Sequence, residues 1–414
     1  MAWQKVKLGD IAIVTSSKRF HLSERSDSGV PFYCSKQIIQ KVRGELVSDY
    51  DYIREEFYEN VKKQYGVPEP GDLLITTRGS YGVPYIYKDN DKFYFADGNL
   101  TWLKDFKEDI DVRFLYYWIC SYEGQKKIDA IAKGTAQKAV TIDGIKNLEI
   151  SVPSFKTQKR IADILSAYDN LIENNQKQIK LLEEAAQRLY KQWFIDLRYP
   201  GHETTKIVDG IPQGWKKVAL GDVYGKIESG SRPKGGIDSS IRDGVVSVGA
   251  ENVIGLGQYN YSSEKLVSHE FYENSKRGKV EDRDILVYKD GAYIGRTSLF
   301  QDEFPRKVMM VNEHVFLLNA KNPLYQYYLF FTLNRQEYFD KMQKLNKNSA
   351  QPGINQDALK SLVIIWPSDE IVMKFDNFVA PMVKKIFALA KQNYELSQSR
   401  DRLLPKLMNG ELEV

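Results

Sequence analysis

Four histidines, His21, His202, His269 and His314, and two cysteines, Cys34 and Cys120, are the softest ligands and nucleophiles in this chain. None has the company that a reaction needs. The histidines do not fall at metal-ligand spacing and no cysteine pair accompanies them, so no metal site is expected. Gly225-Lys226-Ile227 and Gly278-Lys279-Val280 lack the upstream glycine and the following Ser/Thr of a phosphate loop. Asn322-Pro323-Leu324-Tyr325 lacks the second proline of the Asn/Asp-Pro-Pro-aromatic tetrapeptide that orients an adenine amine, and no glycine-rich cofactor turn occurs. The carboxylate pairs Glu55-Glu56 and Glu183-Glu184 fit solvated helix faces, and nothing recommends a nuclease triplet of the Asp…Glu-x-Lys type. The catalytic reading of the chain is therefore empty.

Side chains suited to gripping nucleic acid are better represented. The loop Thr76–Gly82 (TTRGSYG) carries Arg78, Tyr81 and hydroxyls on a backbone that glycine lets approach closely, and Tyr288–Arg296 (YKDGAYIGR) carries Lys289, Tyr293 and Arg296. Arginine can present paired donors to guanine, and Ser, Thr or Tyr can hold phosphate. The alternative is a glycine turn whose tyrosine packs on its own domain. Lys133–Lys138 (KGTAQK) and Lys347–Gln351 (KNSAQ) combine a cation, small hydroxyl residues and a glutamine suited to adenine. Lys133 and Lys347 are expected on phosphate, while Gln137 and Gln351 fit either a base contact or loop support. Sequence reading is expected in Thr15–Val42, with Lys18, Arg19, Lys36 and Gln37, and in Ser229–Asn252, with Arg232, Lys234 and Asn252. Either stretch could equally be a mobile surface loop.

The elements that must position these residues emerge from self-comparison. WQKVKLGDI at 3–11 returns as WKKVALGDV at 215–223, an offset of 212. EFYEN at 56–60 returns unchanged at 270–274, offset 214. DLLI at 72–75 with GSY at 79–81 returns as DILV at 284–287 with GAY at 291–293, offset 212. KGTAQ at 133 returns as KNSAQ at 347, and VPS at 152 as WPS at 366, both at 214. Five matches in one order mean a tandem duplication, and a period this long excludes a solenoid of short units. In each copy, short alternating runs such as 72–76, 83–87 and 92–96 read as strands. Stretches 111–129 and 323–344 each read as a helix. The 414 residues suit two or three domains, and 42% hydrophobic with 28% charged residues describes a globular chain. The net charge of +4 permits nucleic acid without demanding it. No apolar run reaches a membrane span's ~18–20 residues, no secretion signal opens the chain, and two separate cysteines suit a cytoplasmic address.

After each Pro-Ser a long helix opens. Ser154, with Thr157 and Gln158 behind it, offers an N-cap, and no Gly or Pro follows until Pro200. Residues 157–197 would make a helix of roughly 60 Å at ~1.5 Å per residue. Its seam is expected at Ile161, Ile164, Tyr168, Leu171, Asn175, Gln178, Leu182, Ala185 and Leu189, with a polar centre. The second copy gives Phe375, Phe378, Met382, Lys385, Leu389, Gln392, Leu396, Ser399 and Leu403, and Pro381 should kink or restart that helix. Two amphipathic helices each packed on its own domain is one reading. The narrow seam and the length favour an antiparallel pair, with Asn175 and Gln392 fixing register.

This organisation resembles the specificity subunit of type I restriction-modification enzymes over essentially the full length. The resemblance rests on the W-x-x-[VK]-x-L-G-D-[IV] opening, the [GNS]-[TS]-x-Q stretch and the proline before the helix. It also rests on Leu181 to Phe194 at the end of the first helix and on LLPKLMNGEL at 403–412. It implies an α+β fold of two tandem strand-rich target-recognition domains, each followed by a long helix, the two helices forming an antiparallel coiled coil with approximate two-fold symmetry. The expected domains are 1–153 and 215–366, with spacer helices 154–199 and 367–414 and a linker at 200–214. The resemblance further implies double-stranded DNA as ligand, one half of a bipartite asymmetric target per domain, and a spacer set by the helices. Two methyltransferase subunits and the restriction-translocase subunits would dock on the chain. S-adenosylmethionine, ATP and Mg²⁺ would belong to those partners, with no cofactor in this chain. Two other classes compete: a stand-alone nuclease or methyltransferase with duplicated recognition domains, and a coiled-coil interaction protein unrelated to DNA.

Overall fold

The computed structural model describes residues 3–44, 47–134, 138–346 and 353–414, apart from the side chain of Leu22. The chain forms two compact units. Met1–Glu173 with Leu396–Val414 make the first, and Asn174–Glu395 the second. Among the described residues, no helix is long and apolar enough to cross a membrane.

In the first unit a four-stranded antiparallel sheet runs in the order Ile13–Thr15, Leu100–Lys104, Leu73–Thr76, Pro84–Ile86. The Leu73–Thr76 strand is buried at every residue because both its faces are covered. Alternation along the strand separates two layers. Leu73 and Ile75 join Phe114, Leu115 and Trp118 of a helix on one side. Leu74, with Leu100 and Trp102, joins Tyr33, Tyr87 and Phe95 on the other. Tyr33 and Phe95 belong to a second sheet, ordered Arg25–Ser26, Asp51–Ile53, Val30–Tyr33, Tyr94–Phe95, whose last pair is parallel.

The second unit repeats this plan. Its four-stranded sheet is Tyr224–Ser229, Val315–Ala320, Ile285–Tyr288, Thr297–Leu299, beside a three-stranded sheet that again ends in a parallel pair, Val245–Val248 with Met309–Val311. The expected strands at 72–76, 83–87 and 92–96 are present, trimmed to Leu73–Thr76, Pro84–Ile86 and Tyr94–Phe95. The helices expected at 111–129 and 323–344 are each divided. Val112–Cys120 stops at Ser121, whose extended backbone (ψ 158°) and Oγ cap Tyr122–Ile131 through the Gly124 amide at 3.1 Å. A side chain at Gly124 would lie 2.1 Å from the Trp118 carbonyl, so glycine permits the sharp turn. Gln326–Leu333 and Gln336–Lys344 separate at Asn334 and Arg335, where Arg335 turns extended (ψ 145°) without a side-chain cap.

The WxxVxLGD motif explains itself as a clasp. Gln4–Lys7 pairs antiparallel with Glu149–Val152, the strand leading into the first long helix, and Lys216–Ala219 pairs likewise with Val363–Trp366. The Thr157 amide donates to Ser154 Oγ at 3.3 Å, as expected of an N-cap. Gln158, 1% exposed, anchors the helix start: its amide group donates to the carbonyls of Asp109 and Pro153 and accepts from the Asp111 amide, each at 3.0 Å.

The first long helix runs Phe155–Tyr190 and widens into a π-turn at Lys191–Ile195, ending two residues before the expected Leu197, which has a positive φ of 55°. The second runs unbroken over Asp369–Met408. Pro381 does not restart it. Pro381 and Asn377, whose carbonyl loses its donor, both lie on the exposed side where water can serve, while Val379, Val383 and Ile386 pack into the core.

The seam also needs correction. Buried or half-buried positions follow Ile161, Leu165, Tyr168, Ile172, Asn175, Ile179, Leu182, Ala186 and Leu189, alternating steps of four and three, not three and four. The second helix shows the same shift: Phe375, Val379, Met382, Ile386, Leu389, Asn393, Leu396, Arg400 and Leu403. Leu171 and Phe378, placed on the seam by the sequence, are 39% and 58% exposed. Antiparallel pairing is explicit within each unit. In the second, Asn175 Nδ2 donates to Gln392 Oε1 and to Asn393 Oδ1, both at 2.9 Å, while Tyr190 and Trp193 meet the Phe375 ring. In the first, Arg400 pairs with Asp169, which also accepts from the Tyr117 hydroxyl.

Candidate nucleic-acid interface

Arg78 heads a loop that buried threonines hold. Thr76 Oγ1 donates to the Ser80 carbonyl at 2.8 Å and accepts from the Val83 amide at 2.9 Å. Thr77 Oγ1 donates to the Gly98 carbonyl at 3.0 Å, and the Thr77 amide donates to the Asn99 carbonyl at 2.8 Å. Both threonines are at most 3% exposed, whereas Arg78, Gly79 and Ser80 are exposed. A rigid base thus carries a presented tip. Gly79, at φ +70°, makes the turn available.

Bridges from Ala139 to both Arg78 and Lys133 bring the two candidate cations to one place, with Lys138 exposed next to them. Tyr81 takes the packing role: its hydroxyl donates to Asp129 at 2.8 Å, and that bond raises its pKa. Gln137 lies outside the described residues, as do Lys347 and Gln351 of the second unit.

The corresponding loop of the second unit is held by the same main-chain bonds. The Lys289 amide donates to the His314 carbonyl at 3.0 Å, and the Gly295 amide to the Tyr288 carbonyl at 2.9 Å. Lys289 is folded back, donating to the Glu313 carbonyl at 3.1 Å with its ammonium 5.4 Å from the Phe316 ring centre. The Arg296 guanidinium lies 4.1 Å from the centre of the Tyr293 ring, which is half-exposed, so these two form one cationic stacked surface.

In the divergent stretches the candidates separate. Lys18 and Arg19 are exposed, the Lys18 ammonium resting 4.8 Å from the Tyr65 ring centre. Lys36 forms an exposed ion pair with Asp49 at 2.7 Å, Arg232 reaches Glu313 at 3.1 Å, and Lys234 is exposed. Gln37 and Asn252 are structural. Gln37 is 4% exposed and ties Cys34 to Ser48 and Asp49; Asn252 is fully buried and donates to Asn260 and Ser263.

One feature escaped the sequence reading: Asp290, Glu313 and His314 cluster beside Lys289 and Arg232. His314 Nδ1 lies 3.2 Å from Asp290 and Nε2 3.5 Å from Glu313. The repeat offset, which places Asp290 opposite Arg78, was the available signal. Among the described residues, no group of three or more His, Cys, Asp and Glu side chains is placed to hold a metal.

Two strand-rich modules of one plan, each presenting loop side chains and each joined to an antiparallel helix pair, define a duplicated recognition protein. The model of the type I restriction modification DNA specificity domain matches residues 2–184 and again 212–390. The chain belongs to that family and carries its domain twice. It is 26% identical over 430 residues to the type I restriction enzyme MjaIX specificity subunit of Methanocaldococcus jannaschii, covering 100% of this chain and 94% of that one. It is 22% identical to the HindI specificity subunit of Haemophilus influenzae, covering 83% and 86%. The crystal structure of a type I restriction-modification S subunit from M. genitalium shares the fold, with a TM-score of 0.60 at 17% identity over 98% of this chain and 96% of that one. The family description assigns the duplicated domain to DNA specificity.

Proposed function

We propose that the chain reads a bipartite, asymmetric DNA target, one half with each recognition domain. In this reading residues 1–153 and 215–366 are the readers, 154–199 and 367–414 the spacer helices, and 200–214 a linker. The observation that carries it is the pair of loops at Thr76–Gly82 and Tyr288–Arg296, alike in main-chain bonding and different in exposed side chains. Shared backbone supplies one docking geometry, and unlike side chains supply two sequences. A stiff helical connection makes the unread distance a constant, which a flexible linker would not. Two readers so joined bind far more tightly than either alone, through effective concentration.

The proposed DNA contacts are Lys18, Arg19, Lys36, Arg78, Lys133, Arg232, Lys234, Lys289, Tyr293 and Arg296, with Tyr81 supporting its loop and Gln137, Lys347 and Gln351 completing the set. Two methyltransferase subunits and the restriction-translocase subunits supply the chemistry, with S-adenosylmethionine, ATP and Mg²⁺ bound by them. Supporting this division, neither a phosphate loop nor a methyltransferase tetrapeptide occurs in the sequence.

Co-expression with cognate methyltransferase subunits, followed by genome-wide mapping of methyladenine, tests the proposal. One gapped two-part motif is expected. A continuous motif, or methylation by the purified chain alone, would overturn it. Replacing residues 1–150 with those of a relative should change one half of the motif and leave the other half and the gap intact.

A further inference from the structure

The two units place opposite charges at one position of a common backbone. The repeat offset of 212 pairs Arg78 with Asp290. The Arg78–Ala139 bridge is matched by Asp290–Gly353. The Val140 amide donates to the Thr77 carbonyl at 3.0 Å, and the Ile354 amide to the Lys289 carbonyl at 3.1 Å. The side chains are unlike. Arg78 is exposed over Gly98, where a Cβ would approach its Nη2 to 3.5 Å, and among the described residues it makes no hydrogen bond or ion pair. Asp290 Oδ2 meets His314 at 3.2 Å and Lys289 at 3.6 Å, its Oδ1 lies against Gly353, and 31% of the side chain stays exposed.

We infer that Arg78 and Asp290 are the corresponding base-reading residues of the two half-sites, with opposite hydrogen-bond sense. The inference rests on the proposal that each unit meets DNA. Arg78 offers only donors and suits the O6 and N7 acceptors of guanine; the Asp290 carboxylate offers only acceptors and suits an exocyclic amine, cytosine N4 or adenine N6, in the major groove. Charge distinguishes base from backbone. A carboxylate set against phosphate is repelled, so a position that bears one in either copy faces base edges. The common backbone carries that conclusion from Asp290 to Arg78. His314 then acts as the positioning residue that holds the carboxylate.

The experiment uses the full chain with its methyltransferase subunits and the mapped methyladenine motif. Failure of the wild-type complex to give a gapped motif sinks the underlying reading. With that motif in hand, Arg78→Ala should relax one guanine position in one half, reducing discrimination there on the order of 10- to 100-fold, with the other half and the gap unchanged. Asp290→Ala should do the same at one amine-bearing base of the other half, and the motif itself shows whether that base is cytosine or adenine. An unchanged motif in either variant overturns the inference. So does an Arg78→Ala complex that binds all sequences equally more weakly with a salt slope reduced by about one, the mark of a phosphate contact. Should an alanine variant fail to fold, Arg78→Gln, which removes the charge while staying polar, and Asp290→Asn, which keeps the side-chain shape, are judged by the same motif.

Discussion

Lys133 and Arg78 share the Ala139 bridge, yet the chemistry open to them differs. Lysine is a point charge, and Lys133 is accordingly proposed to sit on phosphate. Lys133→Ala should weaken DNA binding by the complex evenly across sequences and lower the slope of log Kd against log salt by about one, with no change in the motif. Anisotropy titrations at several salt concentrations check this. Asp284 has the opposite task. It is fully buried, and burial raises its carboxyl above the ordinary value; it accepts from Asn319 at 2.9 Å, from Lys226 at 3.2 Å and from the Glu281 amide at 2.9 Å. Asp284→Ala leaves three donors without their acceptor and should cost about 2–4 kcal/mol in urea unfolding. Polar residues were the hardest to assign from the sequence. Asn252 and Gln37 have surface-type side chains, and only the partners that folding brings to them reveal that both are interior.

At the level of elements, the helices were legible in length and in their polar centre, but not in the side that faces inward. Ile164 and Leu165, Leu171 and Ile172, Ala185 and Ala186 offer two apolar residues at each step, so either phase satisfies a heptad. The pairs Gln178–Ile179 and Lys385–Ile386 break the tie, and both favour the phase observed. Asn175 on that seam, bonded to Gln392 and Asn393, exchanges stability for register. Replacing Asn175 and Asn393 together with Leu should therefore raise the thermal midpoint by several degrees. It should also broaden the methylation motif into more than one gap length, since the apolar layer no longer penalises a slipped pairing. Deleting one heptad from each helix should instead keep a single gap, shortened by about three base pairs at ~1.5 Å per residue and ~3.4 Å per base pair, with the bases unchanged. Pro381 does not restart the second helix, because a proline's cost depends on where the freed carbonyl points, which a linear pattern does not encode.

For the molecule as a whole, duplication was the most legible property, because five motifs recur in order. The contents of the loops were not legible, because the side chain that meets a base depends on bonds such as Thr77 to Asn99 that join distant segments. The proposed pair of readers on a stiff connection carries a quantitative expectation. Lengthening the gap of the recognised target by one base pair should lower the affinity of the assembled complex at least tenfold at physiological salt, although every base contact survives in each half. A competition assay with targets of graded gap length measures it, and equal binding to all of them would show that the connection is not stiff.

The division of the chain imposes an order in time. Leu407 and Met408 pack among Leu8, Ile11, Phe114 and Ile161 in the core of the first unit, and Gly410 lies against Trp3. Those residues leave the ribosome only after the whole of the second unit, residues 174–395, has been made. At ~5–20 residues per second that is a wait of about 10 to 40 seconds. Throughout it the first unit, although translated first, holds an unfinished apolar surface along Ile161 and Leu165. Its assembly closes from the far end of the chain, so a message cut short before residue 396 should spoil the reader that was made first and spare the one made last.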